Sequence, residues 1–187
     1  FFYVLVKGIS YVRLSFLTSL PSPLGAEGGG IVHAIVGSAI IVGLACLWGI
    51  PLGLGAGIYL SEYAGSRFGA GIRFVADVLS GVPSIVMGVF GYTLIVATTG
   101  GFSALAGAFA LGVITLPIVA RTAEETLRLV PSELREASLA LGIPRWRTIL
   151  SVVIPTASTG LITGAILAMA RIAGETAPLM FPTLGNN

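Results

Sequence analysis

The sequence predicts an all-α protein that crosses a membrane several times. Of its 187 residues, 55% are hydrophobic and only 10% are charged, a balance that water-soluble domains do not show. The mean hydropathy is +0.99. Apolar stretches of about 20 residues, the length that crosses a bilayer as a helix, alternate with short segments that hold nearly all the charges. We therefore expect one helical membrane domain over residues 1–187.

Four apolar stretches reach or exceed the ~20 residues that a span requires. Their bounds are 31–60, 74–97, 102–120 and 148–173, and a shorter run, 1–6, reads as the end of a truncated helix. Each span has a proline within it or at its edge. Membrane helices tolerate such prolines because neighbouring helices satisfy the carbonyls that a kink frees. Static kinks and a moving pathway are equally compatible with them.

Small residues recur every four positions on three of these spans. They are Gly49, Gly53 and Gly57; Ala104, Ala108 and Gly112; and Gly160 and Gly164. Because helices in lipid associate through close backbone approach, these stripes predict packing seams. The glycine-rich run 53–57 is not a phosphate-binding loop, since it lies inside an apolar helix and follows no predicted strand.

Basic residues are concentrated on one side of the predicted membrane domain. That side holds Arg67, Arg73, Arg121, Arg128, Arg135, Arg145 and Arg147, whereas the other side holds Lys7 and Arg13. Loops rich in arginine and lysine stay in the cytoplasm. We therefore expect the loop over residues 121–147 to be cytoplasmic.

This loop is predicted to contain a short helix with both ends specified. Ser132 is expected as the N-cap, and Glu133 lies in the first turn, where the helix dipole favours an anion. Gly142 can take the left-handed conformation at the C-terminal end, and Pro144 cannot continue the helix.

One face of this helix is predicted to be apolar. At helical spacing the face comprises Leu134, Ala137, Ser138 and Leu141, beside the charged Arg135 and Glu136. A short amphipathic helix outside the bilayer places such a face either in the lipid interface or in a groove on a partner. Neither its length nor its composition favours one of these two over the other.

The residues in and after this helix resemble a motif of a known family. Glu136-Ala137-Ser138, Gly142 and the run 152–155 keep the spacing of E-A-A, three residues, G, nine residues, I-x-L-P. This pattern is the EAA loop of bacterial ABC-importer permeases, with Ser138 in place of the second alanine. In that family the loop forms a coupling helix that seats in a cleft of the ATPase subunit. The resemblance thus implies a cytoplasmic coupling-helix loop over 132–147, with ATPase coupling through Leu134, Glu136, Ala137, Ser138, Leu141 and Gly142.

Five further segments resemble one branch of that family, in the same order along the chain. They are 21–23, 57–63, 83–86, 116–122 and 168–179, and they are similar to the PstA-type permease subunit of the bacterial phosphate ABC importer. The resemblance implies a single permease domain over 1–187, in the bacterial inner membrane, with the type I ABC importer permease fold. Such permeases have six transmembrane helices, which implies that one helix and part of another lie outside these residues.

The same resemblance implies the partners. They are a second permease subunit (PstC-type), two ATPase subunits (PstB-type), an extracytoplasmic phosphate-binding protein (PstS-type), inorganic phosphate and the lipid bilayer. The chain itself is expected to be no enzyme and to hold no cofactor, with ATP and magnesium bound by the ATPase. A P-loop needs a lysine that follows a glycine, and the only lysine, Lys7, follows Val6.

Arg171 lies at or near membrane depth in the segment 168–179. A lone arginine there costs about 2.5 to 3.5 kcal/mol on insertion scales, so it requires a partner or an anionic ligand. If the last helix continues through Gly174, Glu175 can pair with Arg171, and phosphate can displace that carboxylate from the guanidinium. The alternative is a structural ion pair that only neutralises the arginine.

Five other charged residues are assigned from their spacing and place. Arg121 resembles a basic residue of the family and is placed in the substrate pathway, although an anchor on the cytoplasmic side explains it equally well. Asp77 is expected either to cap or to pair with Arg73 at i−4. Glu124 and Arg128 are expected to form an ordinary surface pair.

Other classes of function fit the sequence less well. A permease for another oxyanion, such as sulfate, molybdate or phosphonate, would keep the coupling loop but not the segment 171–179. A channel or secondary transporter would need neither the loop nor an ATPase. An enzyme or metal site is disfavoured because no nucleophile–base pair, carboxylate dyad or metal-ligand set is visible. No surface combines basic and aromatic residues as nucleic-acid binding requires.

Overall fold

The computed structural model describes residues 2–9, 12–23 and 28–183, and within these ranges all regular structure is helical. The α-helices are α1 (Phe2–Gly8), α2 (Leu14–Thr18), α3 (Val32–Glu62), α4 (Arg67–Gly81), α5 (Ser84–Gly91), α6 (Ala97–Thr99), α7 (Ala104–Arg128), α8 (Ser132–Ala140), α9 (Arg145–Thr148) and α10 (Ile154–Ala173). Two π-helical turns, Tyr92–Val96 and Ile149–Val153, join α5 to α6 and α9 to α10. The short apolar run 1–6 falls in α1, except for Phe1, which lies outside the described residues.

Three helical runs are long and apolar enough to cross a membrane. They are α3, α7 and the run Arg145–Ala173 that α9 and α10 form together, and they confirm three of the four predicted spans. The third span extends beyond its predicted end at residue 120, because α7 continues to Arg128. Its last two turns are rich in Ala, Glu, Leu and Arg, which all favour helix.

The predicted span over 74–97 is not one continuous helix. The chain there forms α4 and the run Ser84–Thr99, which begins with α5. The two are bent by 102° at a short break and together give either a broken span or a re-entrant loop. The break follows from Pro83, whose ring disfavours the α conformation at the residue before it. Val82 is accordingly extended, with φ −77° and ψ 131°.

Helix α7 is the centre of the molecule. In its most apolar window 61% of the residues are buried, against 17% for α3 and for the run Arg145–Ala173. It packs against α3, α4, α5 and α10. Helices α3, α4 and α10, which carry several of the charged residues described below, are therefore positioned by contact with α7.

The predicted glycine seams lie where helices cross α7. A Cβ added at Gly53 would lie 2.7 Å from the Cβ of Val119, and one at Gly57 would lie 2.5 Å from the Cβ of Ala123. On α10, a Cβ at Gly164 would lie 2.5 Å from Thr122 Cγ2. These distances leave no room for a side chain, so the seams on α3 and α10 are confirmed.

Candidate functional site

The short helix α8 begins and ends close to its predicted bounds. The prediction that Ser132 is the N-cap is wrong: the N-cap is Pro131, which makes no side-chain hydrogen bond, and Ser132 is the first helical residue. Gly142 has a φ of 78°, as predicted. Its N–H donates to Leu139 O at 2.9 Å, and Ile143 N–H donates to Ser138 O at 3.3 Å. This pair of bonds is a Schellman motif, which satisfies the last carbonyls of the helix.

Most of the residues predicted to couple to an ATPase lie on the outer side of α8. Glu136 and Ala137 are exposed, Leu134 is 42% exposed, and Leu141 is 80% exposed. These four residues form the outer face of α8. The described part of the chain places nothing over this face, although two of its members are large and apolar.

Ser138 does not belong to this outer face, so the predicted apolar face is wrong at this residue. Its side chain is buried, and its hydroxyl lies 2.9 Å from the hydroxyl of Thr148, which is also buried. The bond connects α8 to α9, at the start of the run that leads into α10. The helical spacing predicts which residues share a face, but it does not show whether a hydroxyl is hydrogen-bonded. Here the hydrogen bond allows the Ser138 hydroxyl to be buried.

Arg135 also points inward from α8. One terminal nitrogen of its guanidinium forms an ion pair with Glu62, the last residue of α3, and the other donates to Leu127 O on α7 at 2.8 Å. The side chains of Arg135 and Glu62 are only 22% and 16% exposed. Sequence reasoning assigned no contact to either residue. The available signal was spacing: Arg135 precedes Ser138 by three positions, so the two share one side of the helix.

Glu124 is the centre of a buried charge network. Its Oε1 accepts hydrogen bonds from Arg73 Nε at 3.0 Å and Arg73 Nη2 at 2.7 Å, and Arg128 Nη2 lies 2.7 Å from the same oxygen. Arg121 Nη1 lies 3.5 Å from Oε2. The Glu124 side chain is 4% exposed. The predicted Glu124–Arg128 pair is therefore present, but the prediction that it is an ordinary surface pair is wrong.

The predicted pair between Arg73 and Asp77 is also wrong, since Asp77 pairs with Arg121 instead. Arg73 turns away because three acceptors lie together on its other side. Besides Glu124 it donates to Leu60 O at 3.1 Å and Ala64 O at 3.0 Å. Carbonyls at the C-terminal end of a helix lack intrahelical partners, so Arg73 caps α3 while it neutralises Glu124.

Arg171 and Glu175 lie in a different region, beside the break between α4 and α5. They line a cavity of about 260 Å³ together with Ser80, Pro83 and Ser84 from the break, and Pro117 and Ile118 from α7. Their pairing is predicted on the condition that the last helix continues through Gly174. That condition is not met, because α10 ends at Ala173 and Gly174 is the C-cap, and the described residues contain no ion pair between Arg171 and Glu175.

Only two of the three residues predicted for a substrate pathway lie together. Arg171 and Glu175 share the cavity, whereas Arg121 is held by Asp77 and Glu124 and is not among the residues that line it. Among the described residues no group of three or more His, Cys, Asp or Glu is placed to hold a metal ion. Chemically, the cavity offers a guanidinium, a carboxylate and two hydroxyl side chains.

Comparison with known proteins places these features in a family. The sequence profile described as "Binding-protein-dependent transport system inner membrane component" matches residues 49–186. The chain is 51% identical over 183 residues to "Phosphate transport system permease protein PstA" of Xylella fastidiosa strain 9a5c, covering 96% of this chain and 63% of that protein. It is 46% identical over 186 residues to the protein of the same name from Yersinia pestis, covering 99% and 63%.

A third relative has a less specific name. "Probable ABC transporter permease protein YqgI" of Bacillus subtilis strain 168 is 44% identical over 183 residues, covering 97% of this chain and 62% of that protein. The chain therefore spans less than two thirds of the length of these relatives. Among solved structures, a chain of the MetNI methionine ABC transporter in inward facing conformations superposes with a TM-score of 0.73 at 22% identity, covering 80% of this chain and 72% of that one. This likeness supports the fold.

Proposed function

Because the chain belongs to the family of binding-protein-dependent transport system inner membrane components, we propose that it is a permease subunit of an ATP-driven phosphate importer. The chain is a multi-pass membrane protein with the ABC-importer permease fold. In the proposed complex it forms half of the translocation pathway. ATP hydrolysis belongs to a partner chain that binds ATP and magnesium.

The outer face of α8 is the observation that carries this proposal. Arg135 and Ser138 hold the inner side of this helix. On its outer face Leu141 is 80% exposed. An exposed apolar face of this kind is expected to bind a partner. Its motif resembles the EAA coupling helix, so we assign the ATPase as the partner. In this assignment Leu134, Glu136, Ala137 and Leu141 contact it. Ser138 and Gly142 act indirectly, by fixing the orientation and the end of the helix.

Phosphate is proposed as the cargo because Arg171 lines the cavity and pairs with no carboxylate among the described residues. Arg171 is exposed within this chain, and the part of the chain that the structure describes provides no ion pair or hydrogen bond to its side chain. A guanidinium inside a membrane requires an anion. Its fork of donors matches two oxygens of a phosphate group. Glu175, in the same cavity, opposes a negative charge, so the anion should bind nearer the guanidinium than the carboxylate. The names of the relatives at 46–51% identity support phosphate over other oxyanions.

Arg121 has a conditional place in this pathway. Its side chain is 37% exposed and its partner Asp77 is 59% exposed, so an anion that reaches this end of α7 has access to both. Two guanidinium nitrogens of Arg121 already face Asp77 and Glu124, so an anion there competes with these carboxylates. In the proposal it is therefore a secondary contact, after Arg171 and Glu175.

The proposed complex contains a second permease of the PstC type, two PstB-type ATPases and an extracytoplasmic PstS-type phosphate-binding protein. We propose that the end of the molecule that carries α8 is cytoplasmic, because the arginines of the 121–147 loop all lie in or next to it. The orientation can be tested by cysteine labelling, because Cys46 is the only cysteine in the sequence. With Cys46→Ala as background, Leu129→Cys should react with a membrane-impermeant thiol reagent in inverted vesicles and not in intact cells.

Reconstitution tests the function. The full-length protein is co-purified with its partners, inserted into liposomes and supplied with ATP and the loaded binding protein. We expect phosphate to stimulate ATP hydrolysis and to accumulate on the opposite side, and sulfate to do neither. Equal stimulation by sulfate would replace phosphate with a broader oxyanion cargo, and failure of any ATPase to co-purify would refute the assignment of α8.

A further inference from the structure

The inner side of α8 carries an attachment that neither the fold nor the coupling motif explains. Arg135 reaches the last residue of α3 through Glu62 and the last turn of α7 through Leu127 O. Leu127 O also accepts a longer bond, 3.4 Å, from the backbone of Val130. One side chain of α8 thus holds the C-terminal ends of two long helices.

The connection to α3 has no covalent substitute. Glu62 and Arg135 are 73 positions apart in the sequence, whereas the bond from Ser138 to Thr148 joins residues only 10 apart. Helix α8 is already linked to α9 by the short turn 141–144. Among the described residues, the Arg135–Glu62 pair is the only hydrogen bond or ion pair between α8 and α3. A displacement of α8 reaches α7 and α10 along the backbone, whereas Arg135 connects α8 directly to the end of α3.

The end of α3 that Arg135 holds belongs to a fixed unit. Arg73 binds Leu60 O and Ala64 O from the other side and connects them to Glu124 on α7. The glycine seam of α3 then lies directly against α7, with Gly57 against Ala123. A force applied at Glu62 therefore moves α3 together with α7 and α4.

Burial makes the attachment stiff. Both side chains are largely shielded from water, so Coulomb attraction is less screened than at an exposed surface. The two terminal nitrogens of Arg135 bind different helices, which fixes the guanidinium plane in a way that a lysine ammonium cannot. The outer face of α8 is left unoccupied by this arrangement.

We infer that Arg135, with Glu62, is a positioning residue that transmits movement of α8 directly to the end of α3. The inference rests on the proposed function, in which an ATPase moves α8. It predicts a specific defect. Without Arg135 the ATPase still binds the outer face of α8 and hydrolyses ATP, but less of that hydrolysis yields transport.

The test measures the number of phosphate ions transported per ATP hydrolysed, in liposomes that contain the complete complex. We expect Arg135→Met and Glu62→Met each to lower this ratio at least about fivefold with unchanged co-purification of the ATPase. We expect Arg135→Lys to retain an intermediate ratio. Because the two residues form one link, the double variant should lose no more than either single variant. Arg67→Met is the matched control: it removes an exposed arginine on the first turn of α4 and should leave the ratio unchanged.

Each outcome decides the inference. A wild-type ratio in both single variants, or additive losses in the double variant, overturns it. A parallel fall of ATPase binding and transport also overturns it, since that result indicates structural damage. If Arg135→Met fails to assemble, Glu62→Gln keeps the Leu127 contact and tests the same link, and a wild-type ratio there refutes it. The wild-type complex separates the two claims: absence of phosphate-stimulated hydrolysis refutes the proposed function before any variant is compared.

Discussion

Charged side chains are paired with one another at one end of α10 and are not paired near its other end. At the α8 end, Glu62, Asp77 and Glu124 are each paired with at least one arginine from another helix. Near the other end, Arg171 and Glu175 share one cavity, yet within the described residues they form no ion pair. The same residue types therefore serve different purposes in the two regions.

The difference indicates which charges hold the fold and which await a ligand. A buried charge is costly unless it is paired, and the α8 end meets this requirement with groups of its own chain. Arg171 is exposed within this chain, and at membrane depth its charge requires an anion or another chain. In membrane proteins, ionisable residues that the fold leaves unpaired mark substrate pathways. Apart from the Arg135–Glu62 link, variants at the two ends should accordingly fail in different ways, the first in stability and the second in transport.

The largest effect is expected from removal of the network's centre. Glu124→Ala leaves Arg73 and Arg128 without their shared acceptor, and loss of one partner from a buried pair costs about 3 to 5 kcal/mol. We expect the lower end of this range, because the arginines are partly exposed to solvent that screens them. Thermal unfolding of the purified protein measures it. The neighbouring Glu125 is exposed, so Glu125→Ala is the matched control and should unfold at the wild-type temperature.

The next effect is expected at the other end, on transport and not on stability. Arg171→Gln removes a charge-assisted contact worth about 1.5 to 3 kcal/mol, so phosphate uptake should fall roughly 10- to 150-fold. Co-purification of the ATPase and the unfolding temperature should not change. Arg171→Lys keeps the charge without the fork and should fall between the two. Unchanged uptake in Arg171→Gln would remove this residue from the pathway and with it the contrast between the two ends.

A smaller effect is expected on the outer face of α8. Burial of a leucine side chain against a partner contributes about 1.5 to 3 kcal/mol, so Leu141→Ala should weaken ATPase binding by roughly 10- to 150-fold or less. Leu129 is 83% exposed against 80% for Leu141, lies outside α8, and provides the control. If Leu129→Ala weakens binding as much as Leu141→Ala does, the coupling surface is broader than α8.

Local features of this fold could be predicted from the sequence, since their causes lie within a few residues. Gly142 ends α8 because its own conformation and the following proline allow nothing else. The break at Pro83 could not be predicted in the same way. Pro51 and Pro117 stay inside α3 and α7, so a proline in a membrane helix does not by itself decide between a continuous helix and a sharp bend. The surroundings of each proline decide that.

Charge pairing shows the same limit more clearly. Spacing rules compare residues on one helix, and they predicted the Glu124–Arg128 pair at i,i+4 correctly. They failed for Arg73, whose acceptor Glu124 is 51 positions away. They make no prediction for Glu62, whose partner Arg135 is on another helix. No local rule can weigh a neighbour on the same helix against a carboxylate that the packing of another helix brings near. Arg135 was overlooked for this reason, and the inner side of α8 with it.

The smallest effect is expected from the second attachment of α8. Ser138→Ala removes the hydroxyl that meets Thr148 at 2.9 Å, and a neutral hydrogen bond contributes about 0.5 to 1.5 kcal/mol. The cost should lie near the lower value, because Thr148 can still donate to Pro144 O at 3.4 Å and alanine fits the EAA pattern. Thr148→Val, which leaves Ser138 without this partner, should cost more, and the double variant should restore part of the loss. Unfolding temperatures of the three variants measure this. A loss in Ser138→Ala as large as that in Glu124→Ala would contradict this expectation, since α8 would then depend on Ser138 as heavily as the helix ends depend on their charges.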